Sequence, residues 1–467
     1  MSDAVGLIDS DSLKPTTLGA LAEYITSGSR DWSKYYAKSG AIFIRTQDIN
    51  RNRLSLDDVA YVALPERVEG KRSLVKKGDL LITITGANVG KVAAVDFDPP
   101  EAYVSQSVCL VRLKNPEIAK FIQMQLIARR GDKSSLESMA YGLGRPVLNL
   151  ENIRSAPVLV GSVEQQEEIV GELDKQFSRL DEAVANLQRV KANLKRYKAS
   201  VLKAAVEGHL VETEATLARR EGRTYETGEQ LLQRILEERR ATWNGKGKYK
   251  EPLSHAPQEL PDALEGWTWC SLDVVAEETL LGLDRGREQQ RAEPVGVRYV
   301  KMNNVSMDGD VQTDELVYVD ASQEEVARYQ LANGDLLFNT RNSLELVGKV
   351  GIVRSVPIGT VFNNNLMRIR TCSGVSSVFL GYQMCAPDFR QRMEKVKKAT
   401  TSVAAVYQKD LLPLPIALPP VGEQTRTVAE VDRHLSIIRD VEAEVDANLQ
   451  RAHALRQATL SKAFAAT

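Results

Sequence analysis

Two stretches of the chain place an apolar residue every seven positions. In the first, Leu173, Leu180, Leu187, Leu194 and Val201 repeat at that spacing, and Val170, Phe177 and Val184 lie three residues ahead. That is the a/d seam of a coiled-coil helix. The faces between are charged, with Lys191, Lys195, Arg196 and Lys198. The pattern predicts a helix from about Val163 to Gly208. A second helix is predicted from about Val421 onward, with Val431, Ile438, Val445, Ala452 and Thr459 in the seam and Val428 and Leu435 ahead of them. This second seam weakens where Glu442 and Arg456 occupy apolar positions. A helix of about 45 residues is roughly 65–70 Å long at ~1.5 Å per residue. Two such stripes in one chain pack most simply on each other. If they run antiparallel, the molecule becomes a pseudo-twofold rod with a globular domain at each end. The same periodicity also fits a helical hairpin built for dimerisation.

Before each helix the pattern changes to short apolar runs separated by turn residues, at Leu80–Thr85, Ser107–Leu113, Leu336–Thr340 and Leu366–Arg370. These read as strands. Helices are expected around 116–130 and 374–395, which makes each globular part an α+β domain of about 150 residues. The two parts are copies. Gly78-Asp79-Leu80-Leu81 returns as Gly334-Asp335-Leu336-Leu337, and Gly90-Lys91-Val92 returns as Gly348-Lys349-Val350 after a two-residue insertion. The segment 103–113 matches 361–371, 42–49 matches 298–305, and 17–23 matches 271–277. Phe121 and Gln125 correspond to Phe379 and Gln383, and the helix starts correspond as Glu164-Gln165-Gln166 to Gly422-Glu423-Gln424. So many matches in order, at one offset, identify an internal duplication.

Composition adds restrictions. The 467 residues are 43% apolar and 26% charged, as in an ordinary globular protein, and there is no apolar run long enough to span a membrane. The opening residues are polar and acidic, unlike a secretion signal. The four cysteines form no CxxC pair and only four histidines accompany them, which argues against structural zinc and fits a reducing cytoplasm. The net charge of −1 argues against a chain that grips DNA alone, because phosphate neutralisation needs a basic excess.

Catalytic patterns are sparse. Asp98-Pro99-Pro100 is followed by Glu101 and not by an aromatic ring, and it reads as a turn. Gly86 to Lys91 is one residue short of a phosphate loop, with Val92 where a magnesium-binding hydroxyl is needed. Asp58 with Glu69-Gly70-Lys71 has the loose spacing of a metal nuclease centre, but the second copy has Val326 and Arg328 there. No catalytic residue and no metal ligand set is assigned. A stand-alone metal-dependent DNA nuclease and a structural coiled-coil adaptor are the alternatives to a DNA-reading role.

Several segments carry a family resemblance. They are 260–277 (LPDALEGWTWCSLDVVAE), 76–95 (KKGDLLITITGANVGKVAAV), 333–353 (NGDLLFNTRNSLELVGKVGIV), 157–174 (PVLVGSVEQQEEIVGELD), 418–432 (LPPVGEQTRTVAEVD), and the linker pieces 231–243 and 246–252. In this order and duplication the chain resembles, over nearly its whole length, the DNA specificity subunit of type I restriction–modification systems. It departs from the pattern in two places. The first domain lacks the Gly266-Trp267 lead-in, and Leu159-Val160-Gly161 lacks the Pro-Pro of Pro419-Pro420.

The resemblance implies two target recognition domains, residues 1–160 and 263–418. It implies spacer helices at 161–210 and 419–467, packed as an antiparallel coiled coil, and a central linker with an amphipathic helix at 211–262. It implies a non-catalytic, cytoplasmic chain that reads a bipartite site in double-stranded DNA. Two adenine-N6 methyltransferase subunits, and two motor–nuclease (restriction/translocase) subunits where the system has them, dock on it. S-adenosylmethionine, ATP and magnesium belong to those partners, which also supply the missing positive charge.

Base-reading residues in such a domain are polar side chains on loops between strands. In the first copy these are Arg45, Thr46, Gln47, Thr85, Asn88, Ser105, Gln106 and Arg145. In the second they are Lys301, Asn303, Asn304, Arg341, Asn342, Asn363 and Asn364. Equivalent positions differ, so two unlike half-sites are expected. Lys76, Lys77, Arg129, Arg130, Lys395, Lys397 and Lys398 are candidates for phosphate contact, which positions without specifying.

Overall fold

The computed structural model describes residues 13–28, 30–50, 52–65, 70–142, 144–243, 248–252, 260–400 and 403–464, without the side chains of Ser33 and Arg130. The chain divides into two compact units. One comprises Met1–Val190 with Glu444–Thr467, and the other Lys191–Ala443.

The first unit is built on a four-stranded antiparallel sheet in the order Ala22–Ser27, Val108–Leu113, Asp79–Thr83, Val92–Ala94. All five residues of Asp79–Thr83 are buried. A strand covered on both faces reads as a continuous apolar run and does not alternate. The pleat sorts its residues. Leu80, Ile82, Cys109 and Val111 face a cluster with helix Ala119–Ile127, while Leu81, Val108 and Leu110 face a second sheet through Ile42, Ile44 and Val104. That second sheet pairs Ala102–Val104 parallel to Ala41–Ile44, and Ala41–Ile44 antiparallel to Ala60–Val62. Each fully buried leucine contributes about 1.5–3 kcal/mol, so this scaffold tolerates variable polar loops.

The second unit repeats the plan. Ala276–Leu281, Leu366–Thr371, Leu336–Asn339 and Val350–Ile352 form the central sheet in that order. Leu336, Phe338, Met367 and Ile369 face one cluster, and Leu337 and Leu366 the other, with Val300 and Phe362. Val297–Val300 again runs parallel to its neighbour Val361–Phe362.

Polar anchors are duplicated as well. Asp79 accepts from Arg112 Nε at 2.8 Å and Nη2 at 2.6 Å and from the Lys76 amide. Asp335 likewise accepts from Arg370 Nε at 2.8 Å and Nη2 at 3.2 Å and from the Ala332 amide. Gln125 brackets the backbone of Leu159, donating at 2.9 Å and accepting at 2.7 Å. Gln383 donates to Ala417 O at 3.0 Å.

The long helices run Val163–Val206 and Val421–Ala463. The first is capped by the reciprocal Ser162–Gln165 pair and closed by Gly208, whose positive φ of 68° suits a left-handed C-terminal turn. Just inside each start a glutamine bonds back to the preceding chain, Gln166 to Gly161 O and Gln424 to Pro419 O.

In the first unit, Ile169, Leu173 and Phe177 of the first helix share a core with Leu460, Ala463 and Phe464 of the second. In the second unit, Val201, Leu202 and Ala205 share a core with Val431, Leu435 and Ile438. Early residues of one helix thus meet late residues of the other, and the helices pack antiparallel. Leu173 and Val201 are buried, whereas Leu180, Leu187 and Leu194 are half-buried; Val431, Ile438 and Val445 are buried. One of the two charged residues that weaken the second seam is accommodated. Arg456 lies 4.5 Å above the Phe177 ring and reaches Asp181 at 2.6 Å. The amphipathic helix Gly228–Ala241 packs Leu231 and Ile235 into the core of the second unit.

Candidate nucleic-acid interface

The strand topology gathers the polar loops of the first unit at one end of its sheets. Ser105 N bonds Ile44 O, Ile84 N bonds Ser107 O, and Leu148 N bonds Ile84 O. Segments 45–47, 84–88, 105–107 and 145–148 therefore adjoin. In the second unit Asn363 N bonds Val300 O, Thr340 N bonds Asn365 O, and Val406 N bonds Thr340 O, which gathers 301–304, 340–342, 363–365 and 404–406 in the same way.

Within these loops the residues differ in what remains free. Arg45 spends its guanidinium on Asp48, at 3.2 and 3.0 Å, and on Asp58 O at 2.8 Å. The Asp48 hydrogen bond holds the Arg45 pKa above its ordinary value. Asn88 accepts from Lys91 Nζ at 2.8 Å. Thr85 is half-buried, and its hydroxyl lies buried without a hydrogen-bond partner. Ser105 is buried and Thr46 half-buried, while Gln47, Gln106 and Arg145 are exposed.

In the second unit Asn304 caps the Lys301 amide at 2.9 Å and donates to Glu315 O, as Asp48 caps Arg45 in the first. Asn363 donates to the Tyr299 hydroxyl at 2.7 Å and accepts from the Asn365 amide, and Asn342 bonds Asn339 and Ser343. Lys301 reaches Gln290 at 2.9 Å. Asn303 and Arg341 are exposed and Asn364 half-buried. The side chains most available to a ligand are thus Gln106, Arg145, Asn303 and Arg341, while the exposed Gln47 amide turns its oxygen to the Arg45 guanidinium. Asn304 and Asn363 brace the loops from within.

Among the cations, Lys76, Lys77 and Lys395 are exposed. Arg129 lies 3.6 Å from Glu137, Lys397 bonds Glu394, and Lys398 pairs with Asp410 at 3.0 Å. The side chain of Arg130 lies outside the described residues, as does Glu69. The Asp98–Pro100 segment lies between strands Val92–Ala94 and Ala102–Val104, and Gly86–Lys91 joins Asp79–Thr83 to Val92–Ala94.

Lys349, which sequence reasoning missed, lies beneath the second unit's loops. Its ammonium is buried and donates to Met302 O at 2.8 Å and Val305 O at 2.5 Å, and desolvation lowers its pKa. It holds the 301–305 loop against the central sheet. Its counterpart Lys91 does not play this part. The equivalent loop of the first unit is tied through Asn52, which accepts from Val92 N at 3.1 Å and whose carbonyl accepts from Gln123.

A duplicated α+β chain with two antiparallel helices and paired loop clusters defines an architecture, and comparison with known proteins places it. Residues 13–196 match the family model described as "Type I restriction modification DNA specificity domain". The chain is 29% identical over 158 residues to the type I restriction enzyme EcoKI specificity subunit of Escherichia coli (strain K12), covering 33% of this chain and 34% of that protein. It is 27% identical over 221 residues to the EcoBI specificity subunit of Escherichia coli, covering 46% and 45%. The matched stretches thus span less than half the length of these curated relatives. A solved chain from work on complex assembly and conformational transition of the type I R-M system shares the fold, with a TM-score of 0.56, 18% identity and 97% of each chain covered. Residues 13–196 thus match a type I restriction modification DNA specificity domain, and the chain is similar to type I restriction enzyme specificity subunits.

Proposed function

We propose that the chain is the non-catalytic DNA specificity subunit of a cytoplasmic type I restriction–modification complex, with each unit reading one half of a bipartite site in double-stranded DNA. One observation carries the reading. The two units share strands, carboxylate–arginine pairs and helix starts, yet equivalent positions at the loop ends of their sheets differ, with exposed Gln106 in one against half-buried Asn364 in the other, and half-buried Thr85 against exposed Arg341. A scaffold copied with its polar loops rewritten is what reading two unlike half-sites requires. The paired helices act as the spacer and as the docking surface for two adenine-N6 methyltransferase subunits and, where the system has them, two motor–nuclease subunits. S-adenosylmethionine, ATP and magnesium act on those partners, which also supply the cationic grip that a net charge of −1 withholds.

Sequencing modified bases in the genome that encodes the chain tests this. A bipartite motif with methyladenine in each half is expected, and it disappears on deletion of the chain. Replacing residues 1–160 with the same domain of a relative should rewrite one half only. An unaltered methylation pattern after deletion would sink the proposal.

A further inference from the structure

Each unit carries, at the same place, a short pairing in which candidate residues named above take part, Thr85 with Arg145 in its turn in one unit and Arg341 with Asn342 in the other. In the first unit Tyr141 and Val147 exchange backbone hydrogen bonds at 3.0 and 2.8 Å, and Val147 also bridges Thr85. Pro146 O accepts from Gly86 N at 3.0 Å, which fixes the turn to the end of the central strand. Gly142 and Gly144 have φ of 105° and 82°, conformations that permit a tight reversal and disfavour other residues. The reversal leaves Tyr141 54% exposed, and Arg145 is exposed beside it.

The second unit builds the matching ribbon from Arg341–Asn342, Ala404–Ala405 and Lys398–Ala399. Thr85 and Arg341 are equivalent, and so are Val147 and Ala405, because each pair meets across the same bridge. The supports agree between units, but the outward side chains do not.

We propose that this turn is a further reading element, and that Tyr141 and Arg145 are specificity-determining residues of the first half-site. The inference rests on the DNA-reading function proposed above. Its chemistry is that of major-groove recognition. An exposed guanidinium beside a tight turn suits the O6 and N7 acceptors of a guanine, and an exposed ring suits the methyl group of a thymine. A protein partner common to both units would favour like side chains at the two turns. A DNA site with unlike halves favours the difference observed.

The test uses the full chain in its native complex, with Tyr141→Ala, Arg145→Ala and Arg145→Lys made singly and the methylated motif sequenced genome-wide. Arg145→Ala is expected to relax one guanine position of the first half by about ten-fold, with the second half and the thermal unfolding midpoint unchanged. Arg145→Lys should restore part of that preference. Tyr141→Ala should weaken a neighbouring thymine preference by less, and Arg341→Ala should relax the second half alone. Suppose the Tyr141 and Arg145 variants leave the motif unchanged while exchange of residues 1–160 rewrites the first half. The turn is then not a reading element, and half-site reading stands. If that exchange also changes nothing, the reading function itself fails. Equal loss of methylation at both halves, with loss of methyltransferase co-purification, would make the turn a protein-docking element and overturn the inference.

Discussion

In the first unit the loop after Ala41–Ile44 is stitched by neutral and paired groups, namely Asp48 with Arg45, and Asn52 with Val92 and Gln123. In the second, the corresponding loop after Val297–Val300 rests on a buried ammonium, Lys349, bonded to two carbonyls. The sheets beneath are alike and carry the same carboxylate–arginine brace. Duplication preserved the scaffold and replaced the means by which the scaffold holds its loops. The braces are where packing leaves no alternative. The loop supports are where a change of conformation would alter what is read.

Breaking the shared brace should produce the largest effects, and unequal ones. Asp79 and Arg112 side chains are 2% and 16% exposed, so Asp79→Ala strands a nearly buried guanidinium and should cost about 3–5 kcal/mol. Arg370 is 37% exposed and also bonds Glu278, so Asp335→Ala should cost less, about 1–3 kcal/mol. Denaturant unfolding followed with a probe in each unit measures both; equal losses would show the two braces to be energetically the same.

Lys349→Met sharpens the loop comparison. Removing a buried charge offsets the two lost hydrogen bonds, so global stability should change by no more than about 1 kcal/mol. Amide hydrogen exchange at 301–305 should nevertheless accelerate, and the second half of the methylated motif alone should relax. Unchanged exchange at 301–305 would remove Lys349 from its positioning role.

The smallest effect concerns the helix starts, where Glu423 stands in place of Gln165. Glu423 accepts from Trp267 Nε1 at 2.9 Å and from Glu214 N at 2.9 Å, and burial raises its carboxyl pKa above the ordinary 4.5. A raised folded pKa means that the folded state binds the proton more tightly. Its contribution is therefore greatest in acid and is lost as pH climbs from 4.5 through the raised value. Glu423→Gln keeps an acceptor and cannot titrate. The variant should match or exceed the parent by up to about 1 kcal/mol at neutral pH, with the gap closing toward pH 4.5. Stability measured across that range checks the sign.

The helices and the duplication were legible because both are written in periodicity, and periodicity survives substitution. Leu173 and Val201 announce the seam whatever lies around them, and Gly-Asp-Leu-Leu marks the same strand twice. The loops were legible only as places. Asn303 and Asn304 are identical neighbours in sequence, yet one faces solvent and the other caps the Lys301 amide and donates to a carbonyl eleven residues away. Asn363 is consumed by a hydroxyl from a distant strand. Lys349 reads as a surface lysine beside a glycine until the fold closes over it. Tyr141 was passed over because an isolated tyrosine carries no periodic signal. Its exposure follows from glycines that matter only once the strands on either side have paired. Arg456, an interruption of the seam by pattern, becomes part of it because Phe177 and Asp181 lie opposite.

The first unit contains residues from both sides of the second. Phe464 meets the Phe121 ring at 5.6 Å, and Leu460 and Ala463 complete the core around it. A ribosome makes residues 1–190 first, yet their core is finished only after all of Lys191–Ala443 has been made. The nascent first unit therefore emerges with an apolar groove open along Ile169, Leu173 and Phe177, exposed to chaperones and to other nascent chains for the whole of that interval. A stop codon before residue 444 would harm the half of the protein already translated more than the half just completed.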